Sequence, residues 1–336
     1  MNLHFKQTGI ALALLAAPLM AQAGNVPQST ADKLPYWQDI QTVSVNREAA
    51  RSAFMTYDKR EDALSGRYEQ SPFYRSLNGT WKFFYTDSHR SLPADITESV
   101  SHASGWCDIQ VPGNWERQGH GLALYTNIGY EFKALNPKPP QLPNDIPVGV
   151  YRREIEIPQG WMERDIFLHI AGAKSGVYVY LNGQEVGYNE DSKNPAEYLI
   201  NPYVKEGKNT LVLKIFRWST GSYLECQDFW RLSGIERDVF LYSQPKTAIR
   251  DFHVVSTLDD SYQNGLFRLD IALRNRAAQE KQVEVSYELR DASGRLVIDA
   301  EHKCNVGAAS EQQVHFDASI TQVSPWSSEN PTLYQM

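Results

Sequence analysis

Four segments concentrate the side chains that could do chemistry. The first is Val111-Pro112-Gly113-Asn114-Trp115-Glu116, followed by Leu124-Tyr125-Thr126-Asn127-Ile128. The second is Gly187-Tyr188-Asn189-Glu190-Asp191-Ser192, with Pro195-Ala196-Glu197-Tyr198 after it. The third runs from Phe216 to Arg231 and holds Arg217, Trp218, Cys226, Asp228 and Trp230, with Ser233-Gly234-Ile235-Glu236-Arg237-Asp238-Val239 close behind. The fourth is Trp326-Ser327-Ser328-Glu329-Asn330-Pro331-Thr332-Leu333-Tyr334. Amides, carboxylates, a guanidinium and indoles can hold a polar ligand. Breaking a bond asks for more. Acid–base work needs two carboxyl groups at a fixed separation, and nothing in the strands or loops isolates such a pair among the 40 Asp and Glu residues. His253 and His315 fall in strand-like runs, His169 ends an alternating one, and no Ser/His/Asp order is persuasive. No glycine-rich phosphate loop follows a strand and opens a helix. Taken alone, Asp191 in its Tyr-Asn-Glu-Asp-Ser setting reads as a turn former.

The elements that must position these residues are short strands. Trp81 to Tyr85 follows the turn Leu77-Asn78-Gly79, and Tyr151 to Ile157 alternates and ends at Pro158. Ile166 to Ile170 is capped by Ala171-Gly172. Gly176 to Leu181 meets Asn182-Gly183, a strong short-range hairpin signal. Thr210 to Ile215 and Asp238 to Tyr242 complete this set. Parallel βαβ units would need crossover helices of ten or so residues, and these are missing, so an antiparallel sandwich or jelly roll is predicted over 46–245. Ser243 to Thr247, with Gln244-Pro245 at its centre, reads as a linker. A second series follows: 252–255, 266–273, 283–289, 296–298 and 314–316. Its clean alternation over 248–336 matches an immunoglobulin-like sandwich in size and spacing, without the Cys…Trp…Cys pattern of antibody domains. The predicted fold class is therefore all-β, a jelly-roll β-sandwich followed by an immunoglobulin-like β-sandwich. Pro331 to Tyr334 reads as the start of a last strand cut short at Met336, so truncation is expected.

Composition narrows the function. Hydrophobic residues make up 42% of 336, enough for a sizeable core. Aromatics at 12% suit sheet surfaces and flat platforms for sugar rings, although sandwich core accounts for most of them. With a net charge of −7 and no basic stretch, nucleic-acid binding is disfavoured. Lys6, the apolar run Ile10 to Met20 and Ala21-Gln22-Ala23 form a signal peptide over 1–23, leaving 24–45 as a leader. The apolar run is about half of the ~20 residues needed to span a bilayer, so no membrane association is expected after cleavage. Cys107, Cys226 and Cys304 fit no metal spacing, and no pairing can be read from them. A buried free thiol is expected for at least one.

The four segments, in that order and spacing, resemble the N-terminal half of glycoside hydrolase family 2 β-galactosidases, over roughly residues 35 to 336. The resemblance implies a sugar-binding jelly roll, an immunoglobulin-like domain and then a (β/α)₈ catalytic barrel. β-Glucuronidases and β-mannosidases share that order, but the Arg217-to-Arg231 block and the Asn114/Asp191 pair point to β-galactosidase. Asn114 then looks like an amide bonding sugar hydroxyls, since an amide offers donor and acceptor together. Asp191 looks like the carboxylate that meets the galactose hydroxymethyl group and a Na⁺ ion, the latter only with the barrel present. Trp218, Asp228, Trp230 and Arg231 stand either at the sugar pocket and its wall or, as expected here, in a structural role with a buried Arg–Asp pair. Glu190 and Glu197 are taken as solvated or structural. Retaining hydrolysis uses two carboxyl groups about 5–5.5 Å apart. In this family both lie in the barrel, of about 250 residues, as do the Mg²⁺ ligands. The chain is thus expected to hold no catalytic residue and no tightly bound Mg²⁺ or Na⁺, and to be inactive alone. Its expected partner is a β-galactoside such as lactose, with homo-oligomers possible for the complete enzyme and a secreted or periplasmic location. The alternative is a stand-alone carbohydrate-binding or assembly module. Export has a direct check: the secreted protein should begin at Gly24, and intact residues 1–23 in its N-terminal sequence would refute the signal-peptide reading.

Overall fold

The long strands Val148–Ile157 and Gly207–Phe216 pair antiparallel along ten residues each and set the centre of the first sandwich. Around them the chain builds a seven-stranded sheet in the order Ser44–Val45, Gln184–Asn189, Gly176–Leu181, Gly207–Phe216, Val148–Ile157, Gly79–Thr86, Cys107–Val111. A four-stranded sheet packs on it, ordered Ala196–Leu199, Asp165–Ile170, Val239–Gln244, Tyr74–Ser76. The computed structural model describes residues 34–336, and 35–336 form one compact unit. The signal peptide expected over 1–23 and the leader as far as residue 33 lie outside the described residues.

Between the two sheets sit Trp81, Phe83, Ile109, Val179, Leu213, Leu168 and Leu241, all essentially closed to solvent. Each such side chain contributes about 1.5–3 kcal/mol by leaving water. The outer face of the large sheet is covered too. Tyr178, Val150, Val212 and Phe216 pack there with Trp37, Ile96, Phe132 and Ile146 from the loops. That is why Gly176–Leu181 is buried at every position rather than at alternate ones. The Asn182-Gly183 turn has positive φ at both residues, 52° and 80°, as a two-residue hairpin requires.

The second sandwich pairs Thr247–Leu258, Gly265–Asn275 and Ser310–Ile320 in one sheet and Lys281–Arg290 with Leu296–Val306 in the other. Phe267, Leu269, Ile271 and Leu273 point inward at every second position against Val285, Tyr287 and Leu289. The fold class is the all-β pair of sandwiches that the alternation predicts.

Boundaries differ from the sequence reading in four places. Ser243 and Gln244 are buried strand residues opposite Ile166 and Asp165, so the connection between sandwiches is only Pro245-Lys246. Residues 35–45 are not a leader: Trp37 is buried and stacks on Phe216 at 5.0 Å, and Ser44–Val45 is an edge strand. The strand at 296–298 continues to Val306, because backbone pairing with Lys281–Arg290 carries the polar stretch Asp299–Asn305 that hydropathy does not signal. Near the C-terminus, residues 331–336 make one antiparallel bridge, Arg290 with Gln335, and a cut last strand is not shown.

A strap, residues 46–60, crosses from the first sandwich to the second. Glu48 accepts from Arg274 and Arg276, both at 2.7 Å, and Arg276 also meets Asp165 at 3.3 Å. Ser52 donates its N–H to Asp251 at 2.8 Å and its hydroxyl to the Phe252 carbonyl at 2.9 Å. Arg51 holds Glu197 with a two-pronged fork at 2.9 and 2.8 Å, and His169 Nδ1 lies 3.0 Å from the same carboxylate. Burial alone would push the Glu197 carboxyl up, but the bonds from His169 and Arg51 outweigh it and hold it at about 2, below the ordinary 4.5. A depressed carboxyl stabilises the fold fully above its unfolded value and loses that contribution as pH falls through the folded one. Urea midpoints measured between about pH 5 and about pH 2 should therefore fall less steeply for Glu197→Gln than for the wild type. Equal slopes would show that the strap pair carries no pH-linked stability.

Candidate functional site

Asn114 owes its position to its neighbours. The two-residue strand Gly113–Asn114 pairs with Gly234–Ile235, with Asn114 opposite Gly234. Trp115, next along, is fully buried against Phe83 and Tyr85, with ring centroids at 6.1 and 6.0 Å. Its indole lies on Gly149, where an added Cβ would come within 2.5 Å of the ring. Gly234 has φ +108°, and a side chain there would meet the Tyr151 hydroxyl at 2.7 Å. Both glycines are demanded by close approach. The Asn114 amide donates to the Ser233 carbonyl at 3.3 Å, and no donor reaches its Oδ1 among the described residues.

Beneath Asn114 lies a buried ion triad. Arg217 sits between Glu116 at 3.4 Å and Glu131 at 3.1 Å, and all three side chains are at most 4% exposed. Glu116 accepts the Ser233 N–H at 2.9 Å, and Glu131 accepts from the Trp218 indole. Ser233 is thus gripped twice, its N–H by Glu116 and its carbonyl by Asn114 and the Trp115 N–H at 3.1 Å. Burial pushes the Glu116 carboxyl up, against the Ser233 bonds and the Arg217 charge that pull it down.

Asp191 follows the strand Gln184–Asn189. Asn194 closes its turn, donating from its amide to Oδ2 at 3.0 Å and from its backbone to Oδ1 at 3.3 Å. Arg47 stands 3.5 Å from Oδ2 and also bonds Asn189 at 2.7 Å. Burial raises the Asp191 carboxyl, but Asn194 and Arg47 outweigh it and keep it below the usual range. It is partly exposed, as a ligand contact requires. The residues beside it are tied down: Ser192 bonds Glu225 through N–H at 2.8 Å and hydroxyl at 2.6 Å, and Lys193 pairs with Glu236. Asn114, through Ser233 and Gly234, and Asp191, through its neighbours on Glu225 and Glu236, therefore hang from one segment, 225–236.

Several expected partners are different. Arg231 is fully buried but does not pair with Asp228; its guanidinium donates to the carbonyls of Thr126 at 3.1 Å and Gly129 at 3.5 Å. Asp228 is exposed and accepts from the Tyr125 hydroxyl at 2.7 Å. The buried arginine ion pair belongs to Arg217, whose two glutamates lie about a hundred residues upstream in sequence, too far for spacing to reveal. Trp218 is buried and structural, whereas Trp230 stands 57% exposed beside Tyr125. Glu190 and Glu197 are not solvated. Glu190 is buried, bonded by Tyr188 at 2.9 Å and Thr220 at 2.8 Å, and burial raises its carboxyl. The three cysteines are free and half-buried.

Among the described residues, nothing joins Asp191 to form a cation site. A hard cation wants several oxygens, and here the carboxylate faces the amide of Asn194 and the guanidinium of Arg47. No cluster of three or more His, Cys, Asp or Glu able to hold a metal occurs among the described residues. No helix among them is long and apolar enough to cross a membrane.

The described residues thus form a jelly roll with a polar site in its loops, followed by an immunoglobulin-like sandwich. Residues 74–245 match the sugar-binding domain of glycosyl hydrolases family 2, and residues 247–336 match a further domain of that family. The chain belongs to glycosyl hydrolase family 2. It is 37% identical over 314 residues to a β-galactosidase of Halalkalibacterium halodurans and 34% identical over 311 residues to one of Priestia megaterium. Each alignment covers 91% of this chain and 30% of the relative, so the chain spans under a third of those proteins and corresponds to an N-terminal part. A Bacteroides uniformis β-glucuronidase shares the fold at a TM-score of 0.63 and 20% identity, over 78% of this chain and 29% of that one.

The packing under Asn114 is testable. Gly149→Ala should cost about 1–3 kcal/mol by displacing the Trp115 ring. Arg217→Met should cost about 3–5 kcal/mol by leaving two buried carboxylates unpaired. Chemical denaturation measures both, and a wild-type midpoint for either variant contradicts this account of the site's support.

Proposed function

We propose that this chain supplies part of the galactose subsite of a retaining β-galactosidase and leaves hydrolysis to carboxyl groups outside it. The observation that carries the reading is the shared suspension of Asn114 and Asp191 from segment 225–236. In this reading Asn114 Oδ1, which no donor among the described residues reaches, accepts a sugar hydroxyl. Asp191, ionised and partly exposed, accepts another, and Asn194 and Arg47 fix its orientation. The buried triad, through Ser233, holds the Asn114 loop, and Glu225 and Glu236 hold the residues beside Asp191, so little contact energy is lost in ordering the protein when sugar binds. Support for galactose over other sugars comes from the likeness to the two β-galactosidases.

Export, lactose as a physiological substrate and oligomers of the complete enzyme belong to the same proposal. Na⁺ and Mg²⁺ are ions of the whole enzyme in this reading, and a Na⁺ at Asp191 would need further oxygens from outside the chain, with Arg47 drawn aside. The roles of Asn114 and Asp191 require neither ion.

The purified chain should not turn over a chromogenic β-galactoside, and turnover above background that follows the protein through purification refutes the division of labour. Its affinity for free galactose should be weaker than about 1 mM, because most contacts would come from elsewhere. Calorimetric titration measures it, and a tighter constant would show that these loops are a complete site.

A further inference from the structure

A second cavity lies away from Asn114, between the strap, the turn at 66–69 and the outer face of the four-stranded sheet. It holds about 770 Å³, within the range of roughly 300–1,000 Å³ typical of small-molecule sites. We propose that this cavity, walled by Tyr68, Tyr74 and Phe240 and floored by His169 on Glu197, is a second saccharide-binding site that takes a neutral pyranose.

The floor is built and fixed. Glu197 is buried and can only accept, so the imidazole donates from Nδ1 across the 3.0 Å contact. In the neutral ring Nε2 is then left as an acceptor, and nothing among the described residues donates to it. The ring cannot swing, because it lies flat on Phe240 at 4.2 Å and 15°. Arg51 closes the other side of Glu197, stacked over Phe54 at 4.6 Å. The wall is aromatic: Tyr74 and Tyr68 stand 5.1 and 6.2 Å from Phe240 and 6.3 Å from each other.

The charge balance selects the ligand. Arg51 is committed to Glu197, and Glu48 to Arg274 and Arg276. At the rim remain Glu69, Asp238 and Arg67, a net acidic edge that disfavours anions. Acceptors are thus present at His169 Nε2 and at the rim carboxylates, and the Tyr68 and Tyr74 rings line the same cavity. A pyranose matches both features, with hydroxyls to give to Nε2 and the carboxylates and a C–H face to lay on tyrosine. Asn194 divides this cavity from the first site: it lines the cavity and holds Asp191 at 3.0 Å. The two sites share a wall but no ligand-facing carboxylate, so this inference does not rest on the galactose reading.

The test is imidazole NMR of the whole chain, with histidine labelled, during titration with galactose, glucose and maltotriose. The His169 ring signals should move with a millimolar-range constant, and Asp191→Asn should leave that movement intact. Tyr68→Ala, which spares the Glu197 pair, should weaken binding about tenfold; thermal melts confirm that the variant is folded. A larger shift with maltotriose than with either monosaccharide identifies a polysaccharide segment as the ligand, and equal shifts identify a free sugar. The proposal is overturned if His169 stays still at roughly 100 mM sugar. It is equally overturned if Tyr68→Ala binds like the wild type, if Asp191→Asn abolishes the shift, or if only an amine such as arginine moves the signal.

Discussion

The site depends on one buried cation. Arg217 lies between Glu116 and Glu131 with almost no access to water. Taking three charges out of water costs several kcal/mol per ion, and mutual attraction returns this only with good geometry. A hydrophobic cluster of the same volume would serve stability as well. It could not grip a backbone. The triad spends its hydrogen bonds on Ser233, Trp218 and the Leu122 carbonyl, three points on the loops that carry the site. A loop held this way has one arrangement, whereas a loop held by apolar contact alone could slide.

Around that fixed point the sandwich is closed on more sides than an isolated jelly roll needs. The large sheet is covered on both faces, one by the small sheet and one by loops anchored through Trp37, Phe132 and Ile146. Gly149 sits where this packing leaves no room for a side chain, carrying Trp115 and hence Asn114. The strap then ties the same body to the second sandwich through Glu48, Arg51 and Ser52. Only two residues join the sandwiches directly, so the strap's ion pairs and the Ser52 bonds bear much of their relative placement. The strap also forms one wall of the second cavity, which couples that cavity's shape to the seam between domains.

Glu190 and Glu197, read from sequence as solvated or structural, take the structural role, and they show why charge is hard to read there. Glu190 and Glu197 stand seven residues apart in a polar stretch. Their carboxyls move in opposite directions, Glu190 up because burial outweighs its uncharged hydrogen-bond partners, Glu197 down under an imidazole and a guanidinium. The partners Arg51 and Thr220 come from opposite ends of the domain. Arg231 and Asp228 make the converse point: they are three apart and could meet on a helix, but on a strand after a turn one points inward and the other outward.

Alternation of side chains, turn residues such as Asn182-Gly183 and the absence of crossover helices were enough to determine two antiparallel sandwiches in order, because period-two burial is a local property of a strand. The same sequence marked Asn114 and Asp191 as candidates through the motifs around them. It did not determine that Ser44–Val45 is an edge strand, that polar residues 299–305 pair, that Arg217 rather than Arg231 is ion-paired, or that His169 lies on Glu197 over a cavity. Apart from the hairpin arm 299–305, whose polarity hid it, these are contacts between residues tens to more than a hundred positions apart, and chain spacing carries no information about such pairs. Only the folded sheets, with their fixed register and closed faces, decided which charges would meet and which would be left facing a ligand.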